Sequence, residues 1–323
     1  MLLAAFLAEN LHGESPRRMQ RVIECVPNFS EGRRHETVAA LAQAVRAVPG
    51  IRLVDVSPDP DHHRTVLTFI GEPEAVAEAA FRGAQVAVER IDLRFHRGVH
   101  PRIGAVDVMP FIPLRNVSMP ECAQIAREVG YRIARELEVP VYFYEQAALP
   151  GRPTDLPTIR RGGYERWVGR ALTGDRAPDA GPPLLHPTAG AAIVGARGPL
   201  IAFNINLDTD RVAVAHTIAR TIRQQREHLP QLAGVRALGL FLASRGMAQV
   251  SLNLTQPECS PLWWVLEYVR DLAAQQGVQV AGTELIGVAP AAAIVSAAAH
   301  YLQDARLSER QVLDLWLDPQ WNP

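Results

Sequence analysis

Ser118-Met119-Pro120-Glu121-Cys122 has the composition of a helix N-terminus, and a similar pentapeptide returns in the second half of the chain as Thr255-Gln256-Pro257-Glu258-Cys259. In each, a hydroxyl residue can cap a helix, a glutamate three positions later can complete a capping box, and a proline suits the first turn. We predict a strand before each pentapeptide and a long amphipathic helix after it. The repeat indicates two halves of similar construction.

The apolar spacing around these pentapeptides divides each half into the order β-α-β-β-α-β. In the first half, strands are predicted at residues 21–27, 51–56, 64–71, 106–114 and 139–144, with helices at 35–48, 73–91 and 120–138. In the second half, strands are predicted within 191–207 and at 235–243, 248–254 and 278–286, with helices at 211–226, 257–276 and 290–302. This order is typical of split βαβ sheets. We therefore expect an α+β fold of two ferredoxin-like subdomains, related by apparent duplication, with a ligand groove between them.

Two segments lie outside this alternation. Residues 1–18 precede Met19 and the first clear strand, so we interpret them as an N-terminal extension, with disorder as one alternative. Residues 146–190 are rich in proline, glycine and arginine, and they are too long for an idle connection. Their end, residues 181–190, suits either a rigid lip over a flat ligand or a hinge. The expected subdomains are residues 19–196 and 197–323.

Composition excludes several classes of function. The 323 residues are 48% hydrophobic with a formal net charge of −1, which describes a globular chain without the basic patch of a nucleic-acid binder. All 33 basic residues are arginine, so Schiff-base lysines and phosphate-loop lysines are excluded. Three widely spaced cysteines form no metal or disulfide pattern and favour a reducing, cytoplasmic setting. The apolar run 288–299 is too short to span a membrane, and we predict a buried helix there.

The polar loop His96-Arg97-Gly98-Val99-His100-Pro101-Arg102-Ile103-Gly104 is the strongest candidate for chemistry. Pro101 favours an extended backbone at His100, and an imidazole can both accept and donate a proton near neutrality. The alternative is a surface loop whose histidines bond only to backbone and water.

Two further loops carry polar groups. In Ser57-Pro58-Asp59-Pro60-Asp61-His62-His63, the absence of recognised ligand spacing argues against a metal site and favours a solvated loop, or a role in orienting a catalytic group. The turn at residues 28–32 feeds a strand into a helix and could offer free N–H groups to an anion. A plain connection is the alternative.

Five motifs occur in order along the chain: Glu24-Cys25-Val26-Pro27-Asn28-Phe29-Ser30-Glu31-Gly32, Arg64-Thr65-Val66, His100-Pro101-Arg102-Ile103-Gly104-Ala105-Val106-Asp107, Pro110-Phe111-Ile112-Pro113, and Ala202-Phe203-Asn204-Ile205-Asn206-Leu207. Together they resemble the formiminotransferase domain, best known from formimidoyltransferase-cyclodeaminase, from about Met19 to about Leu302. The resemblance implies transfer of a formimino group from N-formimino-L-glutamate to tetrahydrofolate in histidine degradation. It also implies tetrahydrofolate as co-substrate, no metal, and a stand-alone transferase, because the chain ends before any cyclodeaminase domain. We further expect small-molecule partners and a homodimer, without nucleic acid or membrane.

The resemblance also assigns roles by position. The family's catalytic histidine matches His100. Its folate-contacting segment matches Gly181, Pro182, Pro183, Leu184, Leu185, His186, Pro187, Thr188, Ala189 and Gly190. Ala189 stands where a stacking tryptophan is expected, and Ser57 stands where the family has an acid, which leaves Asp55, Asp59 or Asp61 to orient His100.

Substrate contacts and mechanism follow as expectations. Arg64 and Arg102 are candidates for the substrate carboxylates, with surface ion pairs as the alternative, and Asn28 and Asn204 are candidates for lining the same groove. One histidine can take a proton from N5 of tetrahydrofolate and return one to the leaving glutamate nitrogen. Three other functions stay open: formyl transfer on the same scaffold, hydrolysis of a folate one-carbon adduct without glutamate, and a non-catalytic folate-binding module.

Overall fold

The computed structural model describes residues 21–317, so the predicted extension at residues 1–18 lies outside the described residues. The chain forms two sheets, each with its own hydrophobic core. The strands are β1 (Val22–Cys25), β2 (Asn28–Phe29), β3 (Arg52–Asp59), β4 (Arg64–Gly71), β5 (Val106–Arg115), β6 (Val141–Glu145), β7 (Ala192–Ala196), β8 (Ile201–Leu207), β9 (Val235–Leu242), β10 (Met247–Leu254) and β11 (Val280–Ile286). The helices are α1 (His35–Arg46), α2 (Pro73–Arg90), α3 (Met119–Glu136), α4 (Leu156–Ile159), α5 (Gly163–Trp167), α6 (Val212–Gln225), α7 (Leu262–Ala274) and α8 (Ala291–Leu302).

The first sheet is a ferredoxin-like unit with two added strands. β1 and β2 act as one interrupted strand, since both pair antiparallel with β4 on one side and β5 on the other. β3 pairs with β4 at the edge. Beyond β5 the sheet continues through β7 to β6, both in parallel pairing, because α3 provides the crossover connection that parallel strands need. The sheet core therefore extends under the segment that joins the two subdomains.

The second sheet has the order β11-β8-β10-β9, with antiparallel pairing throughout. Its chain order is β8-α6-β9-β10-α7-β11, so the predicted βαββαβ arrangement is confirmed in both halves. Ile201, Phe203, Ile205 and Leu207 of β8 join the core with α6 and α7. Since side chains alternate along a strand, Asn204 and Asn206 point to the opposite face, where both are buried. This sheet thus carries one apolar and one polar face.

Only the first of the two predicted capping boxes forms. Ser118 caps α3, and Glu121 Oε2 accepts the Ser118 backbone N–H at 2.8 Å. The second prediction is wrong, because residues 257–260 form a turn and α7 begins at Leu262, with Pro261 before it. Thr255 instead donates its hydroxyl to the carbonyl of Gly234. By its position in the βαββαβ order, α7 of the second subdomain corresponds to α2 of the first. The helix α3 comes after the first βαββαβ unit is complete, so it is not the counterpart of α7.

The prediction of a buried helix at residues 288–299 is wrong as well. None of the residues of α8 is buried, and Ile294 and Leu302 are 47% and 70% exposed. Alanine content alone does not bury a helix, and this one packs against α7 at the margin of the second core. Within residues 21–317, no helix combines the length and the apolar character needed to cross a bilayer.

Candidate functional site

The loop that carries His100 pairs directly with the end of the 181–190 segment. The Ala105 N–H donates to the Ala189 carbonyl at 2.8 Å, and the Ala191 N–H donates to the Ile103 carbonyl at 3.1 Å. A Cβ atom on Gly104 would stand 1.7 Å from the Ala191 oxygen, and one on Gly190 would stand 2.1 Å from the Ile103 oxygen. Glycine is therefore required on both sides, and the two predicted functional segments are joined by backbone.

Positively charged side chains surround His100. Its Nδ1 is 2.9 Å from Nη1 of Arg64 and 2.8 Å from the carbonyl oxygen of Pro101. Burial holds the pKa of His100 well below its usual value, and the charges of Arg64 and Arg160 lower it further. The ring is therefore neutral at physiological pH. The two contacts of Nδ1 belong to different tautomers: with the proton on Nε2, Nδ1 accepts from Arg64, and with the proton on Nδ1, the ring donates to Pro101 and the Nε2 lone pair can accept a proton.

Arg64 is the central residue of a buried hydrogen-bond network next to the His100 ring. Its Nε donates to Oδ1 of Asn28 at 2.8 Å, and its Nη1 donates to Oδ2 of Asp107 at 3.0 Å. Asp107, which is 1% exposed, also accepts from Nη2 of Arg160 at 2.6 Å and from the Ile103 N–H at 3.0 Å. One carboxylate thus holds two guanidinium groups beside His100. Predicted residues Asn28, Arg64 and His100 are brought together.

The loop between β3 and β4 brings a second histidine to this place. Nδ1 of His62 lies 2.8 Å from Oδ2 of Asp59, and the rings of His62 and His100 are 6.1 Å apart, centroid to centroid. Burial alone would raise the pKa of Asp59, but hydrogen bonds from the side chain and backbone of His62 lower it. Asp59 is therefore ionised and holds His62 in place.

None of the three candidate acids forms a hydrogen bond or an ion pair with His100. Asp55 accepts the Ser57 hydroxyl at 2.6 Å, and Asp59 binds His62. Asp61 accepts from the backbone N–H of Ser244 at 2.9 Å and from its hydroxyl at 2.5 Å. The last contact ties the β3–β4 loop to the turn between β9 and β10, which belongs to the second subdomain.

His63 and His96 form a stack on the other side of the His100 loop. Their rings are 4.1 Å apart and 8° from parallel. His96 donates Nε2–H to the His63 carbonyl at 2.8 Å and accepts from Nε of Arg102 at 2.6 Å. Arg102 also forms an ion pair with Glu165 at 2.6 Å. The guanidinium of Arg102 is therefore engaged within the protein, as in the ion-pair alternative.

The N–H groups that follow the turn at residues 28–32, at the start of α1, already have an acceptor within the protein. The Glu31 carboxylate itself accepts the backbone N–H groups of Arg33 and Arg34, at 2.9 Å and 3.0 Å. These hydrogen bonds and those from the His63 and Arg34 side chains lower the pKa of Glu31 despite its burial. The anion at the start of α1 is therefore the Glu31 carboxylate of the protein itself.

The 181–190 segment is a rigid strap over the first core. Leu185 and Ala189 are 4% and 1% exposed and pack into that core, so the Ala189 side chain faces the interior. His186 and Gly190 exchange two backbone hydrogen bonds, and Nδ1 of His186 accepts the Ala189 N–H at 3.0 Å. Leu184 is 47% exposed, which leaves an apolar side chain on the outer side of the strap.

Asn204 lies on the polar face of the second sheet, apart from the hydrogen-bond network of His100. It pairs in register with Ser251 and Glu284. On the same face, Gln249 Nε2 donates to Asn206 at 2.9 Å, and Asn206 donates to Glu284 at 3.1 Å. The buried Oε1 atom of Gln249 has no protein partner. This face is suited to a polar ligand.

Sequence reasoning missed Arg160 and Ser244, and it gave no role to Asp107 and did not foresee the pairing of Asp59 with His62. Asp107 stands in the same motif as His100, and its single carboxylate in an apolar strand was a usable sign. Arg160 and Ser244 carried no such sign, because their loops have no periodicity. Only the folded chain brings them to the site.

Comparison with known proteins covers nearly the whole described chain. Residues 22–197 match the formiminotransferase domain, N-terminal subdomain, and residues 202–315 match the formiminotransferase domain. Glutamate formimidoyltransferase of Streptococcus pyogenes serotype M1 is 41% identical over 88% of this chain and 94% of the relative. Its counterpart in Thermoplasma acidophilum is 39% identical over 91% and 96%. Formimidoyltransferase-cyclodeaminase of Rattus norvegicus is 44% identical over 90% of this chain, which spans about half (54%) of that relative.

Proposed function

The chain belongs to the formiminotransferase family, and from this premise we propose that it transfers the formimino group of N-formimino-L-glutamate to tetrahydrofolate in histidine degradation. The products are 5-formiminotetrahydrofolate and L-glutamate. The observation that carries the proposal is the backbone pairing of Gly104 with Gly190, which fixes the His100 loop against the segment that corresponds to the family's folate contacts. Names of relatives at about 40% identity support the same activity.

His100 is the proposed general acid and base. N5 of tetrahydrofolate attacks the formimino carbon, the C=N electron pair moves to nitrogen, and N5 loses its proton to Nε2 of His100. The C–N bond to glutamate then breaks, and the leaving nitrogen takes up a proton. Burial and the positive charges of Arg64 and Arg160 lower the pKa of His100, and a neutral ring can accept the first proton.

The remaining groups have proposed binding roles. Arg64 and Asn28 lie beside His100, and Asn204 lies on the polar face of the second sheet, so we keep all three as substrate contacts. The guanidinium groups of Arg64 and Arg102 both have partners within the protein, so a substrate carboxylate would compete with Asp107 at Arg64 and with Glu165 at Arg102. Residues Gly181–Gly190 form the folate strap, with Leu184 as its exposed apolar contact. Tetrahydrofolate is the co-substrate, and side chains carry out the proposed proton transfers.

The two subdomains are assigned to residues 19–196 and 197–323, with residues 146–190 contributing the folate strap. The cysteines Cys25, Cys122 and Cys259 are all free thiols, which suits the proposed reducing, cytoplasmic location. No nucleic acid or membrane enters the proposed activity.

We propose a homodimer in which a second copy covers α8. This helix, Ala-Ala-Ala-Ile-Val-Ser-Ala-Ala-Ala-His-Tyr-Leu, contains no Asp, Glu, Lys or Arg and buries none of its residues, and contiguous apolar surface of this kind marks association sites. Two-fold homodimers are the commonest oligomers of soluble proteins. We predict that I294E yields a monomer in light scattering after size exclusion, whereas exposed H35E on α1 leaves the mass unchanged. A wild-type monomer would contradict the homodimer.

The function is tested by assaying the purified chain with tetrahydrofolate and either N-formimino- or N-formyl-L-glutamate, with glutamate release measured. Turnover with the formimino donor and stoichiometric glutamate supports the proposal. Preference for the formyl donor would favour the formyltransferase alternative, and hydrolysis of a folate adduct without glutamate would favour a hydrolase. Binding of both substrates without turnover would favour a folate-binding module.

A further inference from the structure

His62 is a second imidazole at the site, and the carboxylate of Asp59 holds it in place. Nδ1 of His62 is 2.8 Å from the ionised carboxylate of Asp59, and its ring is tilted 51° to that of His100 at a centroid distance of 6.1 Å. Asp59 further accepts the backbone N–H groups of His62 and Asp61 at 2.8 Å and 2.9 Å. The carboxylate thus fixes both the ring and the loop that bears it.

The relative position of the two rings is set by contacts between their loops. The Val99 N–H donates to the Asp61 carbonyl at 3.2 Å, and Nε2–H of His96 donates to the His63 carbonyl at 2.8 Å. A Cβ atom on Gly98 would stand 2.3 Å from the His62 carbonyl oxygen, so the loops touch at the backbone. Two loops in this contact keep His62 and His100 at a constant separation.

Formimino transfer needs two proton movements on two nitrogens. N5 of tetrahydrofolate must lose a proton, and the glutamate nitrogen must gain one. His100 is well suited to the first step, but the nearby guanidinium groups of Arg64 and Arg160 disfavour the imidazolium that results. His62 has a carboxylate as its hydrogen-bond partner, the arrangement that orients an imidazole for proton transfer in catalytic His–Asp pairs. The two rings therefore differ in their surroundings: guanidinium groups lie beside His100, and a carboxylate binds His62.

We propose that His62, held by Asp59, is a second proton-transfer residue of the reaction. This inference rests on the proposed function and divides the role first given to His100 alone. As the N5–C bond forms, the proton of N5 goes to His100. As the C–N bond to glutamate breaks, the protonated His62 gives its proton to the leaving nitrogen. His100 then releases its proton and His62 regains one, so that the reaction consumes no net proton.

Charged and titratable side chains lie near His62 on four parts of the structure. Asp59 and Asp61 lie on its own loop, and His100 lies on the loop after α2. Arg64 and Arg160 stand beside His100. Arg245, in the second subdomain, acts on both Asp59 and Asp61. Among the described residues, Asp59 is the charged side chain that forms an ion pair with the His62 ring, so it is the group to neutralise in a test.

The experiment compares the pH dependence of kcat in the full chain and in H62N, D59N and D61N. D61N is the matched control, because it makes the same chemical change in the same loop, where the carboxylate binds Ser244 instead of His62. For H62N we expect kcat to fall about 10²-fold near neutral pH, as for loss of a general acid, and the decline of kcat at alkaline pH to disappear. For D59N we expect kcat to fall and the alkaline decline to change, since the ring has lost the carboxylate that orients it. For D61N we expect the alkaline decline to stay in place.

The outcomes separate this inference from the proposed function. If the wild-type chain transfers formimino groups while H62N stays within threefold of it, or D59N keeps the wild-type alkaline decline, the second proton-transfer role is wrong and the function stands. If D61N and D59N change the profile alike, the loop acts only as an anchor and the inference fails. If the wild-type chain itself lacks transfer activity, the proposed function fails first. Circular dichroism and folate binding of each variant establish that it is folded.

Discussion

The two ferredoxin-like subdomains share one strand order but differ at equivalent connections. In the first, α2 is joined to β5 by residues 91–105, which contain His96 and His100; in the second, α7 reaches β11 through the short link at residues 275–279. The β3–β4 turn holds Asp59, Asp61 and His62, whereas the equivalent β9–β10 turn contributes Ser244. The same frame therefore carries the proposed proton-transfer histidines in one copy and a polar sheet face in the other, because function resides in loops placed on a common fold.

The largest effect that tests this asymmetry is expected from H100A. Removing the imidazole takes away the proposed base for N5, and loss of such a group costs about 10²–10⁴-fold in turnover. The measurement is steady-state formimino transfer at saturating substrates, with circular dichroism to follow folding. H35A, at an exposed histidine on α1, is the matched control and should keep wild-type turnover. Near-native kcat in H100A would show that the loop of the first subdomain does not supply the base.

A second effect concerns the stability of that loop. Burial lowers the pKa of His96 to about 4, and the positive charge of Arg102 adds to this. Because the folded pKa lies below the unfolded value of about 6.5, the unfolded chain takes up the proton first, and stability is lost as the pH falls from about 6.5 to about 4. The loss attributable to this side chain is at most about 2 kcal/mol between pH 7.5 and pH 5.

The variant H96Q isolates this contribution. Glutamine can accept from Arg102 and does not titrate, so the free energy of unfolding should depend less on pH than in the wild type. Urea unfolding at pH 7.5 and pH 5.0 measures the difference, and the other histidines are common to both proteins. An equal loss of stability in wild type and H96Q would show that His96 does not titrate on unfolding in this range.

Sequence patterns predicted the elements whose periodicity is local. β4 was placed at its observed bounds, Arg64–Gly71, and α2 was predicted to within one residue, because alternation and helical spacing are properties of the segment itself. The start of α7 was misplaced, since Thr255 had a tertiary partner in Gly234 that competed with the cap. The exposed state of α8 was missed because burial depends on neighbours that composition does not specify.

The same distinction applies to the site. His100 and the 181–190 strap could be predicted from motifs, and glycines at positions 104 and 190 bring the two segments together. The acid that orients His100 was open among Asp55, Asp59 and Asp61, because the sequence places all three close together ahead of His62. Hydrogen-bond geometry separates them: Asp55 binds Ser57, Asp59 binds His62, and Asp61 reaches the second subdomain.

The smallest effect is expected at the contact that joins the two copies, the bond from the Ser244 hydroxyl to Asp61. S244A removes the hydroxyl bond at 2.5 Å and keeps the backbone N–H bond at 2.9 Å. A hydrogen bond to a charged group contributes about 1.5–3 kcal/mol, and because this turn is exposed we expect the loss of unfolding free energy to be smaller than that. Since the bond fixes the loop bearing His62 and not the ring itself, we expect KM to rise a few-fold with kcat nearly unchanged. A double-mutant cycle with D61N supplies the control, because the two changes should not add if they remove the same bond. Additive effects would show that the second subdomain contributes its sheet face to the site without holding the catalytic loop.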